Sequence, residues 1–194
     1  MILYPRAGYD DLRITAFEPR TSAPVLADFS TTPASYVLQA WSFANNGTER
    51  GLQGVTQIPH GWFPGDADAD VHLHLSSTGA LAEGVVAGFF VSLIIQKTGQ
   101  ALADAYTKLL FLGKTVPVGG YGAKTHIMTS TFTIPAANLW ISAMVFAHVF
   151  RKKGTEITTD NLGAVTEAVD DVLWLHELDL HVKRSNFGTR TPTA

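Results

Sequence analysis

The 194-residue sequence contains no cysteine, which removes disulfides, thiolate metal ligands and cysteine nucleophiles together and leaves the chain indifferent to redox compartment. Charge is scarce as well. Asp, Glu, Lys and Arg make up 16% of the residues, against about 25% in ordinary soluble domains. Fourteen Lys and Arg against 17 Asp and Glu give a formal net charge of -3, and nothing basic clusters beyond Arg151-Lys152-Lys153. Binding to a phosphate backbone needs a basic stripe, so nucleic acid is not an expected partner. Long apolar runs are missing too. The longest uncharged apolar stretch, 84–95, is bounded by Glu83 and Lys97 and falls short of the roughly 20 residues that cross a bilayer as a helix. No membrane span is expected, and a soluble chain is. The opening Met1-Ile2-Leu3-Tyr4-Pro5-Arg6 does not have the basic-then-apolar pattern of a secretory signal, so export by that route is not expected. No polar or Pro/Gly-rich linker divides the chain, which predicts one domain over residues 1–194 with an extended N-terminal segment of about residues 1–30.

Turn residues recur along the sequence, and the apolar runs between them are rich in Val, Ile, Phe, Thr and Tyr, which predicts strands. Strands are expected over 36–43, 51–58, 71–76, 85–96, 125–134, 142–151 and 175–184. The cleanest pattern is 71–76, where Val71, Leu73 and Leu75 alternate with His72, His74 and Ser76, so the two sets occupy opposite faces. The last strand likewise sets Leu178, Leu180 and Val182 against Asp179, His181 and Lys183. The run 85–96 is almost continuously apolar, which suits a central strand covered on both faces or a buried helix, and its β-branched residues favour the strand. Asn46-Gly47-Thr48 reads as a hairpin turn. Only 159–174 has a helical pattern, with Asp160 as its N-cap. About eight strands without a βαβ rhythm predict an all-β, antiparallel β-sandwich of the jelly-roll type with at most one short helix.

His72-Leu73-His74 is the sharpest chemical signal, because residues i and i+2 on a strand point the same way and two imidazoles so placed can chelate one divalent metal. His60, His126, His148, His176 and His181 are scattered elsewhere as possible third ligands, with His60 and His181 singled out. Asp66, Asp68 and Asp70 alternate like the start of a calcium loop, but the positions that should be Gly and Glu hold Val71 and Ser77, so a solvated acidic turn is the better reading. No Gly-x-Ser-x-Gly elbow is present, which leaves a serine triad without support. Trp62, held among Pro and Gly residues, and Tyr121 in the loop Gly119-Gly120-Tyr121-Gly122 are candidates for an interface or for a receptor or carbohydrate platform. Trp41 and Trp174 lie in strand patterns and are expected in the core. Cupin metalloenzymes share the jelly roll and a His-x-His motif. Here Glu83 lies too far from His74, Gly84 follows it directly, and Gly122 stands where the second cupin histidine belongs. A cupin-like metalloenzyme is therefore an alternative that the spacing opposes.

Several segments, read in order, resemble a family of tailed-phage and prophage virion structural proteins. Tyr9-Asp10-Asp11-Leu12-Arg13 is similar to the family's aromatic-Asp-Asp-Leu-Arg opening. Gln57-Ile58-Pro59-His60-Gly61-Trp62 and Val71-His72-Leu73-His74 are similar to its Pro-His-x-Trp and His-Val-His-Trp segments. Glu177-Leu178-Asp179-Leu180-His181 with Gly188 is similar to its Glu-Phe-Asp-Ile-His strand and tail. The chain departs from the family at Asp70, where a further His is usual, and at Leu75, where Trp is. The resemblance implies a virion component, made in the host cytoplasm, that acts by assembly and not by catalysis. Its place would be head-attached as capsid decoration, head-to-tail or in a tail fibre, and its form a homotrimer. Its partners would be copies of itself, other virion proteins and, as an alternative role, a host receptor or carbohydrate. Interfaces of that kind are depleted of charge at their centres, which makes 85–95 and 138–150 the segments where core and subunit contact are expected to compete.

Overall fold

The computed structural model describes residues 8–14, 18–19, 24–30, 38–44, 46–60 and 68–184. Among the described residues fourteen strands run in chain order: β1 Gly8–Ile14, β2 Glu18–Pro19, β3 Val25–Ser30, β4 Leu38–Phe43, β5 Arg50–Gln57, β6 Ala69–Ser77, β7 Val86–Gln96, β8 Tyr106–Thr115, β9 Ile127–Met128, β10 Phe132–Ile134, β11 Met144–Arg151, β12 Glu156–Thr159, β13 Gly163–Thr166 and β14 Leu173–Arg184. They form two antiparallel sheets and one hairpin. The first sheet has the order β10-β6-β14-β4-β3, with β1 added to β14 and β9 to β6. The second has the order β2-β5-β11-β7-β8.

The pairing is nested: β7 pairs with β8, β6 with β9 and β10, β5 with β11 and β4 with β14. This is a long antiparallel ribbon folded over so that β14 meets β6 and β11 meets β7, and the resulting four-by-four arrangement is the jelly roll. Strand 85–96 of the sequence reading is β7. The N-terminal strands are knitted into both sheets, β1 and β3 into the first and β2 into the second.

Period-2 alternation builds the core. Val71, Leu73 and Leu75 of β6 and Leu178, Leu180 and Val182 of β14 face Phe89, Val91 and Leu93 of β7 in one buried cluster. Phe43 meets Phe89 edge-on across the sandwich, with ring centroids 4.8 Å apart. Each such side chain contributes about 1.5–3 kcal/mol when withdrawn from water. A smaller cluster of Phe90, Phe111 and Phe150 lies on the outer face of the second sheet, packed against Leu109, Ile157 and Val165, so at Phe90 the outer face of β7 is covered as well as the inner one. Gly88 has no room for a side chain, since a Cβ there would lie 2.4 Å from the Leu112 carbonyl oxygen.

Three expectations change. Residues 159–174 contain no helix. They hold a turn, β13 and an irregular approach to β14. Gly163 adopts φ 73°, a left-handed conformation that ends a strand and reverses the chain, and Asp160 caps no helix. Its carboxylate accepts a hydrogen bond from the Leu109 amide at 2.7 Å and pairs with Lys108 at 3.0 Å. Asn161 bonds both the amide and the carbonyl of Phe111, so this turn seals the free edge of β8. Asn46-Gly47-Thr48 joins β4 to β5, which belong to different sheets, and is thus a corner between layers in place of a hairpin. Trp41 packs against the core, but Trp174 is buried on the opposite side of β14 from Leu173 and Leu175, beneath the Lys124 ammonium at 5.8 Å.

Candidate metal centre

β6 and β14 are neighbours in the middle of the first sheet, and their core-facing residues leave the alternate set on the outer face. Antiparallel register places His72 beside Asp179, His74 beside Glu177 and Asp70 beside His181. A bulge between Leu175 and Glu177 inserts one extra residue. It changes the parity of β14, so that Leu175 and Leu178 both point inward while His176 and Glu177 are both left to the outer face. His126 is added by the loop entering β9, the short strand paired to His74 and Leu75.

The resulting group is polar yet withdrawn from water: His72 is 4% exposed and Asp179 3%. The Nε2 atoms of His72 and His74 are 3.0 Å apart. His74 Nε2 lies 3.2 Å from Asp179 Oδ2, and His72 Nε2 lies 3.9 Å from the same oxygen. Glu177 approaches His74 Nε2 at 3.9 Å with one oxygen and Arg13 at 3.7 Å with the other. His74 Nδ1 meets His126 Nε2 at 2.6 Å. His181 packs beside His72, with ring centroids 4.7 Å apart. His176 is bonded to Ser76 Oγ at 2.9 Å. Burial, followed by the neighbouring His126 and His74, pushes the His176 pKa down to about 4, so its ring is neutral at physiological pH.

Two sets of ligand atoms come within 4.8 Å of one another, His72 with Asp179 and His181, and His74 with Glu177 and Asp179. These His and carboxylate groups can hold a metal ion. The Oδ1 atom of Asp179 is buried and has no hydrogen-bond partner among the described residues, an expensive state for a carboxylate unless a cation compensates it.

Of the ligands expected from the sequence, His72, His74 and His181 converge here. His60 lies elsewhere, bonded to Ser142 Oγ at 2.7 Å, because it precedes β6 in the connection leaving β5. Asp68 accepts a hydrogen bond from the Ala136 amide, and Asp70 one from Thr133 Oγ1. These two carboxylates anchor the β10 end of the sheet, and Asp66 lies outside the described residues. His126 and His176, also possible third ligands from the sequence, border this group, His148 lies on the second sheet, and Asp179 and Glu177 were not foreseen as site residues. The alternation of 178–182 carried a signal for Asp179, since it shares the outward set with His181. His72 and His74 face away from the interior between the sheets, which is filled by the apolar cluster. Tyr121 is bridged to Leu81 and packs against the core, and Trp62 lies outside the described residues.

Among the described residues no helix is long and apolar enough to cross a membrane. No family model matches the sequence, and no curated protein matches it. Among solved structures the chain is similar to one described as the structure of infectious bursal disease virus Gx strain, with 14% identity and a TM-score of 0.30, over 90% of this chain and 39% of that one. The chain therefore spans well under half the length of that neighbour.

Proposed function

We propose that the chain is a structural component of a virion, acting by assembly with copies of itself and neighbouring virion proteins and not by catalysis. The observation that carries the assembly reading is an apolar row on the outer face of the second sheet. Val55, Phe146 and Ile94 stand side by side across β5, β11 and β7, with Val55 51% and Phe146 37% exposed. With the half-buried Ile94 beside them, the two exposed side chains form an apolar strip that favours a contact surface. The particle assignment draws on the segments that resemble tailed-phage virion proteins and on the jelly roll, an architecture that capsid domains use. At micromolar concentration, size exclusion with light scattering should return a stable oligomer, and Phe146→Asp should shift it toward monomer. A monomeric wild-type chain that is also absent from purified particles would overturn this reading.

A second reading concerns the first sheet, whose outer face is a divalent metal site. The convergence of His72, His74, His181 and Asp179 favours it.

A further inference from the structure

We propose that one zinc-class divalent cation is held by His72 Nε2, His74 Nε2 and Asp179 Oδ2, with Glu177 as the fourth ligand and His126 as the residue that orients His74. This assignment rests on the reading of the outer face as a metal site and specifies how it works.

Distances come first. The three atoms form a triangle with edges of 3.0, 3.2 and 3.9 Å, whose corners lie about 2.0 Å from a common centre, the length of a Zn–N or Zn–O bond. Two neutral imidazoles and a carboxylate, with no thiolate in the sequence, suit zinc-class ions. Magnesium and calcium prefer all-oxygen shells, and copper(I) and iron–sulfur clusters need sulfur. Burial gives the second argument. Asp179 has one oxygen facing the imidazoles and the other without a hydrogen bond among the described residues, so a cation at the centre supplies compensation that these residues do not. The contact on the far side of His74 agrees. With Nε2 of His74 bound to the ion, its proton resides on Nδ1 and is donated to His126 Nε2, 2.6 Å away. A metal-ligating His is characteristically fixed through its other nitrogen in this way. Glu177 stands over the same nitrogen of His74 and is steadied by Arg13 on its far oxygen.

The test uses the full chain, stripped with a chelator and titrated with zinc chloride against a chromophoric competitor. One zinc per chain at micromolar affinity or tighter is expected. His74→Gln and Asp179→Asn should each weaken it about a hundredfold or more, while His60→Gln leaves it unchanged. His126→Ala should weaken it roughly tenfold, and His126→Gln, whose amide oxygen can accept from Nδ1, should recover most of that loss. Should a ligand variant fail to fold, the cobalt(II)-loaded wild-type chain answers instead, through paramagnetically shifted ring resonances from His72 and His74. If the wild-type chain takes up no zinc below millimolar concentration, the metal reading and this assignment both fall. If it takes up one zinc that survives His74→Gln and Asp179→Asn, or shifts other rings in the cobalt form, the metal reading stands and this ligand set is overturned.

Discussion

Arg151 and Asp179 are both buried charges, 1% and 3% exposed, yet their surroundings differ in kind. Arg151, at the end of β11, places all five guanidinium N–H groups. Nε and one Nη2 hydrogen go to the two oxygens of Glu167, and the others go to the carbonyls of Phe43, Val169 and Asp171. Glu167 in turn accepts from the Val169 amide. The clamp ties the second sheet to the end of β4 in the first. Around Asp179 the neighbours are imidazoles, whose Nε2 atoms donate only in one of the two neutral tautomers, and one carboxylate oxygen is left over among the described residues. A buried charge whose bonds are complete is a fastening. One whose bonds are incomplete, among groups that all offer lone pairs, can receive a cation.

Substitution can separate the two. Arg151→Met leaves the Glu167 carboxylate buried without its partner and should cost about 3–5 kcal/mol, read from urea unfolding. The double change Arg151→Met with Glu167→Leu should recover a large part of that loss, and no recovery would break the view of the pair as a self-contained clamp. Asp179→Asn should behave oppositely. In chelator-treated protein it should shift stability by less than about 1 kcal/mol, because it removes an imperfectly bonded charge. With zinc at about a hundred times the dissociation constant, the wild-type chain should gain about 2.7 kcal/mol, a gain the variant lacks. Equal destabilisation by Arg151→Met and Asp179→Asn in metal-free protein would erase the distinction.

Smaller effects calibrate it at the surface. Asn161→Ala removes two hydrogen bonds to β8 and should cost about 1–2 kcal/mol, seen as faster amide exchange at Phe111. The exposed Asp160 carboxyl is held below its ordinary pKa of 3.8 by the Leu109 amide, then by Lys108. Its folded value is depressed, so its contribution is present above pH 3.8 and is lost as pH falls through the lower folded value. The Leu109 amide should stay protected at pH 4 and lose protection only in stronger acid.

The architecture was largely legible because inward and outward residues alternate wherever one face is wet, as in 71–76 and 178–182. It was not legible in β8, where a short apolar run without alternation lies under a hairpin. β8 has Leu109-Leu110-Phe111-Leu112 with no alternation, since Leu109 and Phe111 lie under the β12–β13 hairpin, and that strand was not read. The hairpin itself resembled a helix because Gly163 and the docking of Asp160 and Asn161 act through contacts some fifty residues distant. His72 and His74 announced themselves by spacing. Their carboxylate partner depended on a bulge and on pairing with β14, which a local pattern does not encode.

The sealed edge of β8 has a consequence for growth. A second chain cannot extend this sheet strand by strand there without first displacing Asp160 and Asn161 from the backbone groups they occupy. At this edge, then, the molecule is closed to fibre-like propagation.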